Sequence, residues 1–326
     1  MMNINVQSTS PTVVTFTDRS KQIFNQLGML IILALLIVVM SVIAPNFTDS
    51  SNILNVLKQS SITAILAAGM TVVILTGGID LSVGSTLALS GVISVLLSNA
   101  GAPVGLAMIA GAGVGYVAGA INGYLTAVPK LPAFIVTLGS MTYLRGLAYV
   151  ITGGYPVVLA SEKFKFIGAG EIFGIPTPIY IMGIVYLIMF VVLKYTMFGR
   201  HVYAIGGNEE AAHLTGIKVN RTLINVYSIS GLLAGISGVV MAGRLFSGQP
   251  MVGIAFELDA IAAVVLGGTS FVGGRGRIQG TIIGVLIVAV LTNGMTLLNV
   301  DYYWQQVVKG IVIVIAVLLD RLRSKN

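Results

Sequence analysis

The chain has 326 residues, 56% of them hydrophobic and only 9% charged, with a net charge of +7 and no cysteine. Soluble domains carry about a quarter charged residues, so this composition excludes a water-soluble fold. The absence of cysteine excludes disulfides, thiolate metal sites and a cysteine nucleophile, and the longest basic run, Arg321-Leu322-Arg323-Ser324-Lys325, is too short to suggest nucleic acid.

Residues 1–26 are polar and read as a cytoplasmic tail. The apolar run 27–44 is the first of about ten predicted membrane helices; the others are 60–76, 82–98, 104–127, 133–152, 177–194, 222–243, 258–272, 278–298 and 303–320. Crossing a bilayer core of about 30 Å takes roughly 20 helical residues. A cleaved signal peptide is the competing reading of 29–44, but the run is long and many spans follow. Eight spans with re-entrant segments is the competing count, because 60–76 and 82–98 meet at a glycine-rich break and 258–272 is short. Residues 27–320 thus read as one all-α polytopic membrane domain, closed by a basic tail at 321–326.

With both termini cytoplasmic, twelve Lys and Arg residues fall on the inner side and four on the outer, which fixes the orientation. Arg145 and Lys309 lie inside spans, and snorkelling to the interface is the expectation for each. Three connections stand out: 46–59 as an outer amphipathic segment, 153–176 as a long outer loop, and 195–221 as the longest inner loop.

Glycines recur every four residues at Gly111, Gly115, Gly119 and Gly123, again at Gly276, Gly280 and Gly284, and as the pair Gly231 and Gly235. Small residues at this spacing form flat helix faces for close packing. Gly113-Val114-Gly115-Tyr116-Val117-Ala118 matches a dinucleotide fingerprint by letters only, since it lies inside an apolar span. No Gly-Lys dipeptide occurs, and Gly274 follows Gly268-Thr269-Ser270-Phe271-Val272-Gly273 where a phosphate-binding lysine would stand. Any ATP used must be hydrolysed by a partner. Gly235-Ile236-Ser237-Gly238 has the letters of an intramembrane serine protease, but both histidines, His201 and His213, lie in the inner loop, outside every span.

The break Thr76-Gly77-Gly78-Ile79-Asp80-Leu81-Ser82-Val83-Gly84 carries one acid. Glycines interrupt a helix in lipid only where protein or water satisfies the freed backbone, and an ionisable residue near membrane depth points to function. A tight turn with Asp80 capping the next helix is the alternative. Val72 to Gly78 also resembles Ala263 to Gly268, each followed by more glycine. In the inner loop, Tyr203 to Val219 reads as a short amphipathic helix with acids at its start and glycines on both sides. Such an element can dock into a partner's groove.

Glu210-Ala211-Ala212 with Gly216 resembles the coupling loop of the permease subunits of bacterial ATP-binding-cassette sugar importers. The Ile-x-Leu-Pro ending of many such loops is absent, so the resemblance is to the divergent branch for ribose, galactose, xylose and related sugars, and within it to the ribose type. Gly77 to Gly84, Gly206-Gly207-Asn208-Glu209, and Glu257 to Thr269 resemble that branch as well. The likeness runs from about Pro45 to Asp320. It implies a permease of the bacterial inner membrane, without cofactor or catalytic residue of its own, working with a separate ATPase subunit and a periplasmic sugar-binding protein. A second permease subunit would complete one path for a monosaccharide. It further implies that Gly206, Gly207, Asn208, Glu209, Glu210, Ala211, Ala212, Thr215 and Gly216 engage the ATPase. The loops 45–59 and 153–176 would meet the binding protein. Gly77, Gly78, Asp80, Ser82 and Gly84, with Gly267, Gly268 and Thr269, would form or hinge the path. A neutral sugar needs hydroxyls, amides and aromatics rather than fixed charge, and the spans hold few ionisable groups.

Overall fold

Every predicted span falls on a helix of the computed structural model, which describes residues 16–324. The first half runs α1 (Phe16–Ile43), α2 (Ser50–Leu75), α3 (Val83–Asn99), α4 (Val104–Ala127) and α5 (Ala133–Thr152). A cap follows, made of β1 (Val157–Val158), α6 (Glu162–Ala169), β2 (Glu171–Ile172) and β3 (Ile175–Pro176). Then come α7 (Thr177–Tyr195), α8 (Met197–Gly207), α9 (Glu209–Leu214), α10 (Val219–Leu245), β4 (Ser247–Gly248), α11 (Phe256–Leu266), α12 (Ile278–Leu297) and α13 (Tyr302–Ser324). Among the described residues α2, α4, α5, α7, α10 and α12 are long and apolar enough to cross a membrane, while Gly28–Ile43 and α3 are shorter apolar stretches.

Two boundaries differ from expectation. The segment 46–59 is not a separate amphipathic element: from Ser50 onward it forms the first turns of α2. Its polar residues hide that continuity, because Asn52 is satisfied inside the protein by a reciprocal amide pair with Asn293 of α12, at 2.9 and 3.0 Å. The span 258–272 shortens to an 11-residue helix, α11, about 16 Å long. Glycines at 267 and 268 end it.

α2 and α10 form the centre, buried over most of their length and antiparallel to each other, with Gly69 against Ser230 and Ile62 beside Ser237. Around them the chain repeats itself in the opposite sense. α3 follows α2 through a break and packs on α10, α4 and α5; α11 follows α10 through a break and packs on α2, α12 and α13. α4 lies antiparallel on α10, and α12 antiparallel on α2. The segments α2–α5 and α10–α13 are thus inverted copies, an arrangement common in membrane transporters.

Glycine seams close both copies. Gly111, Gly115, Gly119 and Gly123 face α10, Gly115 and Gly119 lying directly on Gly231, with Gly235 beside Gly115 and Ala112. Gly280 and Gly284 meet Gly267 and Ala263 of α11, and Gly276 lies against Thr269. At most of these positions a Cβ would run into the neighbouring backbone, so the helices approach as closely as their main chains allow.

Candidate translocation site

The two breaks enter the bundle from opposite ends. α2 terminates where the carbonyl of Leu75 accepts from Gly274 N–H at 2.9 Å, beside Gly206 of the long loop. Gly77, at φ +78°, then turns the chain back into the bundle, and α3 starts only at Val83. By then the chain has returned to the level of Ser230, about 16 Å along α10 from its first residue.

Asp80 sits inside this first break and is 1% exposed. Its Oδ1 accepts from Ser82 N–H at 3.0 Å and Ser82 Oγ at 2.6 Å, and its Oδ2 accepts from Ser230 Oγ at 3.0 Å. The carboxylate therefore closes an Asx turn on Ser82, the residue that leads into α3. It also ties α3 to α10. Ser82 Oγ accepts from Asn122 Nδ2 of α4 at 2.9 Å, and Asn122 Oδ1 accepts from Ser140 Oγ of α5. Tyr227 lies beside Gly78 with its hydroxyl buried and unpartnered. One polar chain centred on Asp80 thus binds four helices to the break.

The second break is the strap 246–255. It starts at the cap, where Leu159 N–H donates to the Phe246 carbonyl at 2.9 Å and β1 pairs with β4 in antiparallel register. Gly248 lies against Val92, and Gly253 against Gly84. Measured along α3 from Asn99, which the cap holds through the Val158 carbonyl, that contact is about 22 Å deep. Gly253 adopts φ +78°, a conformation that suits glycine, and a Cβ on Gly84 would overlap its carbonyl oxygen. The two breaks touch there, in the middle of the bundle.

Charge holds the strap. Arg145 of α5 donates from Nη1 to the carbonyls of Pro250 and Val252, each at 2.6 Å. Lys309 of α13 pairs with Asp259 in the first turn of α11 at 3.1 Å. Neither side chain snorkels, contrary to expectation. Each finds an acceptor inside the protein at its own depth, which satisfies the charge without a reach to the interface.

At the opposite end the coupling-loop residues divide. Gly206 is wedged against the Leu75 carbonyl and Gly274, and Gly207 lies against Gly274. Beyond them Asn208 breaks the predicted single helix into α8 and α9, its Oδ1 capping α9 by accepting from Ala211 N–H at 2.9 Å. Glu209, Glu210, Ala211, Thr215 and Gly216 are exposed, as is Leu214, while Ala212 is buried against Ile205 and Leu223. Gly267, Gly268 and Thr269 belong to this end, in the turn from α11 to α12, away from the contact of the breaks. Tyr203 donates to the Gly276 carbonyl at 3.0 Å and joins the same turn; burial pushes its phenol up, against the opposing pull of Arg277.

Residues in contact join the exposed α9 to the central breaks, and this can convert a push on α9 into movement of helix ends. No cluster of three or more metal-ligating residues occurs among the described residues. The strap and its clamp Arg145 are the functional candidates that sequence patterning missed. The signal was there in Gln249-Pro250-Met251-Val252-Gly253, which stops a helix well short of the next apolar run.

The family described as branched-chain amino acid transport system / permease component matches residues 52–317. The ribose import permease protein of Escherichia coli (strain K12) is 48% identical over 295 residues, 89% of this chain and 92% of that protein. That of Bacillus subtilis (strain 168) is 49% identical over 304 residues, 93% of this chain and 94% of its own. The L-arabinose transport system permease protein of Escherichia coli (strain K12) is 39% identical over 304 residues, 93% of each. No solved structure matches.

Proposed function

The chain belongs to the family of transport-system permease components, and from that premise we propose that it carries ribose inward as the membrane-spanning permease of an ATP-driven importer. It is a multi-pass protein of the bacterial inner membrane. Identity to the two ribose permeases exceeds that to the arabinose permease, which supports ribose as the sugar. The observation that carries the transport reading is the contact of Gly84 with Gly253. Two interrupted helices meeting at mid-depth give the bundle a centre that can rearrange without unfolding a continuous span.

In this reading a separate ATPase subunit binds ATP and receives α9, with Glu209, Glu210 and Leu214 presented to it. A push on α9 moves α8, and Gly206 and Gly207 pass it to the end of α2 and the turn at Gly274. From Leu75 the first break begins, so the motion reaches Asp80 and the contact with the strap. An extracytoplasmic binding protein delivers the sugar at the cap formed by 153–176, and a second permease copy completes the path. ATP and the loaded binding protein must each favour a different state of the bundle, or neither would drive the cycle.

The test is co-purification with the candidate ATPase subunit, comparing the natural chain with the double variant Glu210→Arg, Gly216→Trp, followed by ATP hydrolysis in liposomes with ribose-loaded binding protein. A complex stimulated by ribose and not by glucose, and lost in the variant, is expected. If no ATPase binds, the importer reading fails. If the complex forms but arabinose or allose replaces ribose, only the sugar is wrong.

A further inference from the structure

Arg145 lies about 18 Å along α5 from Ala133 and about 10 Å from Thr152. It is half-buried, beside exposed Thr142, Tyr143 and Gly146. Glu257, in the first turn of α11, is half-buried too. Ionisable side chains at such depth face a bundle interior or a water-filled cavity, because lipid solvates neither. This face of the chain is therefore turned from lipid.

Arg145 and Glu257 attract one another electrostatically, yet no ion pair joins them within 4.0 Å. A guanidinium carries five N–H groups and no acceptor. Nη1 of Arg145 serves the Pro250 and Val252 carbonyls, and no other acceptor is bonded to the side chain among the described residues. Glu257, whose Oε2 lies beside Gly84 at the contact of the breaks, has no side-chain donor among the described residues. A donor-only cation and an acceptor-only anion, held apart on one face, suit a group that donates and accepts at once. A hydroxyl does both, and a monosaccharide carries several at fixed spacing. Tyr149, one turn along α5 on the face of Arg145, supplies a ring face for the C–H side of a sugar.

We propose that Arg145 and Glu257, with the strap carbonyls that orient Arg145, form a monosaccharide subsite midway along the path. The proposal rests on the importer reading and adds to it the residues that hold the sugar between the binding protein and the cytoplasm.

The full permease–ATPase complex in nanodiscs, without binding protein, is titrated with ribose and its single-deoxy analogues, using saturation-transfer NMR to read binding. The natural chain should bind ribose saturably. Glu257→Gln should weaken ribose at least about tenfold and abolish the penalty for one deoxy analogue, since sites built around a hydroxyl reject compounds that lack it. Arg145→Lys, which keeps the charge, should retain more affinity than Arg145→Gln. A structural role would lower the yield of complex in both Arg145 variants and leave the ranking of analogues unchanged; that result overturns the subsite. So does natural protein that gives no ribose signal, or Glu257→Gln that binds as the natural chain does. Ribose uptake by the same preparation with binding protein added separates the readings. Uptake without a subsite leaves the importer intact, and no uptake defeats both.

Discussion

The break before α3 and the strap before α11 are topological counterparts held by opposite chemistry. The first is dry: a fully buried carboxylate accepts from Ser82 and from Ser230 of α10, and Asn122 of α4 and Ser140 of α5 extend the network outward from Ser82. The second is half-open and charged, its carbonyls clamped by Arg145. A closed network suits a joint that must keep its geometry, since each member is spent on another. A half-buried cationic clamp on main-chain carbonyls leaves N–H groups free, which suits a segment open to a hydroxylated ligand. The same inverted geometry thus yields one break closed on itself and one left half-open, the side on which we place the sugar.

The largest expected effect removes what both share. Gly253→Val forces a branched side chain into φ +78° and onto the Gly84 backbone. A loss on the order of 3 kcal/mol or more should follow, read as little monodisperse protein in detergent. Next comes the dry break: Asp80→Ala strands Ser230 and the Ser82 N–H and should cost about 3 kcal/mol, seen as a lowered thermal midpoint, with Asp80→Asn recovering part. The strap should answer differently. Arg145→Gln should leave the thermal midpoint closer to that of the natural chain while amides at 249–255 exchange at least about tenfold faster, a local opening of about 1.4 kcal/mol. Lys309→Met should cost about 1–2 kcal/mol by leaving Asp259 unpaired, and adding Asp259→Asn should restore most of it. Least affected is Tyr227→Phe, whose hydroxyl has no partner. Its thermal midpoint should imply a change within about 0.5 kcal/mol. If Asp80→Ala proved milder than Arg145→Gln in thermal stability, the contrast between the breaks would collapse.

That contrast also explains what the sequence disclosed. Apolar runs locate the helices because lipid demands unbroken backbone bonding. The first break was legible because Gly77-Gly78 interrupts such a run and Asp80 stands alone within it. The strap was not, because 244–257 is merely the gap between two predicted spans, and only contacts with Gly84 and Arg145 reveal that it dives inward. Arg145 itself looked like a snorkelling residue, since its acceptors are main-chain carbonyls 105 and 107 positions away. The start of α2 was hidden for a similar reason: Asn52 is polar by composition but finds its partner in Asn293. Likewise the second glycine string at 267–268 drew attention by resemblance to the first, while its place is the turn beside the coupling loop.

The chain has no cysteine, so single cysteines can be introduced and probed without background. Membrane-embedded protein carrying Thr142→Cys, Met251→Cys or Ile254→Cys is treated with a water-soluble, membrane-impermeant thiol reagent, alongside Ser82→Cys and Ser230→Cys. The first three should label, because their face is wetted by the path, and the last two should stay unlabelled in the dry break. Labelling confined to the helix ends, with Thr142→Cys and both strap variants inert, would put that face against lipid and contradict the account.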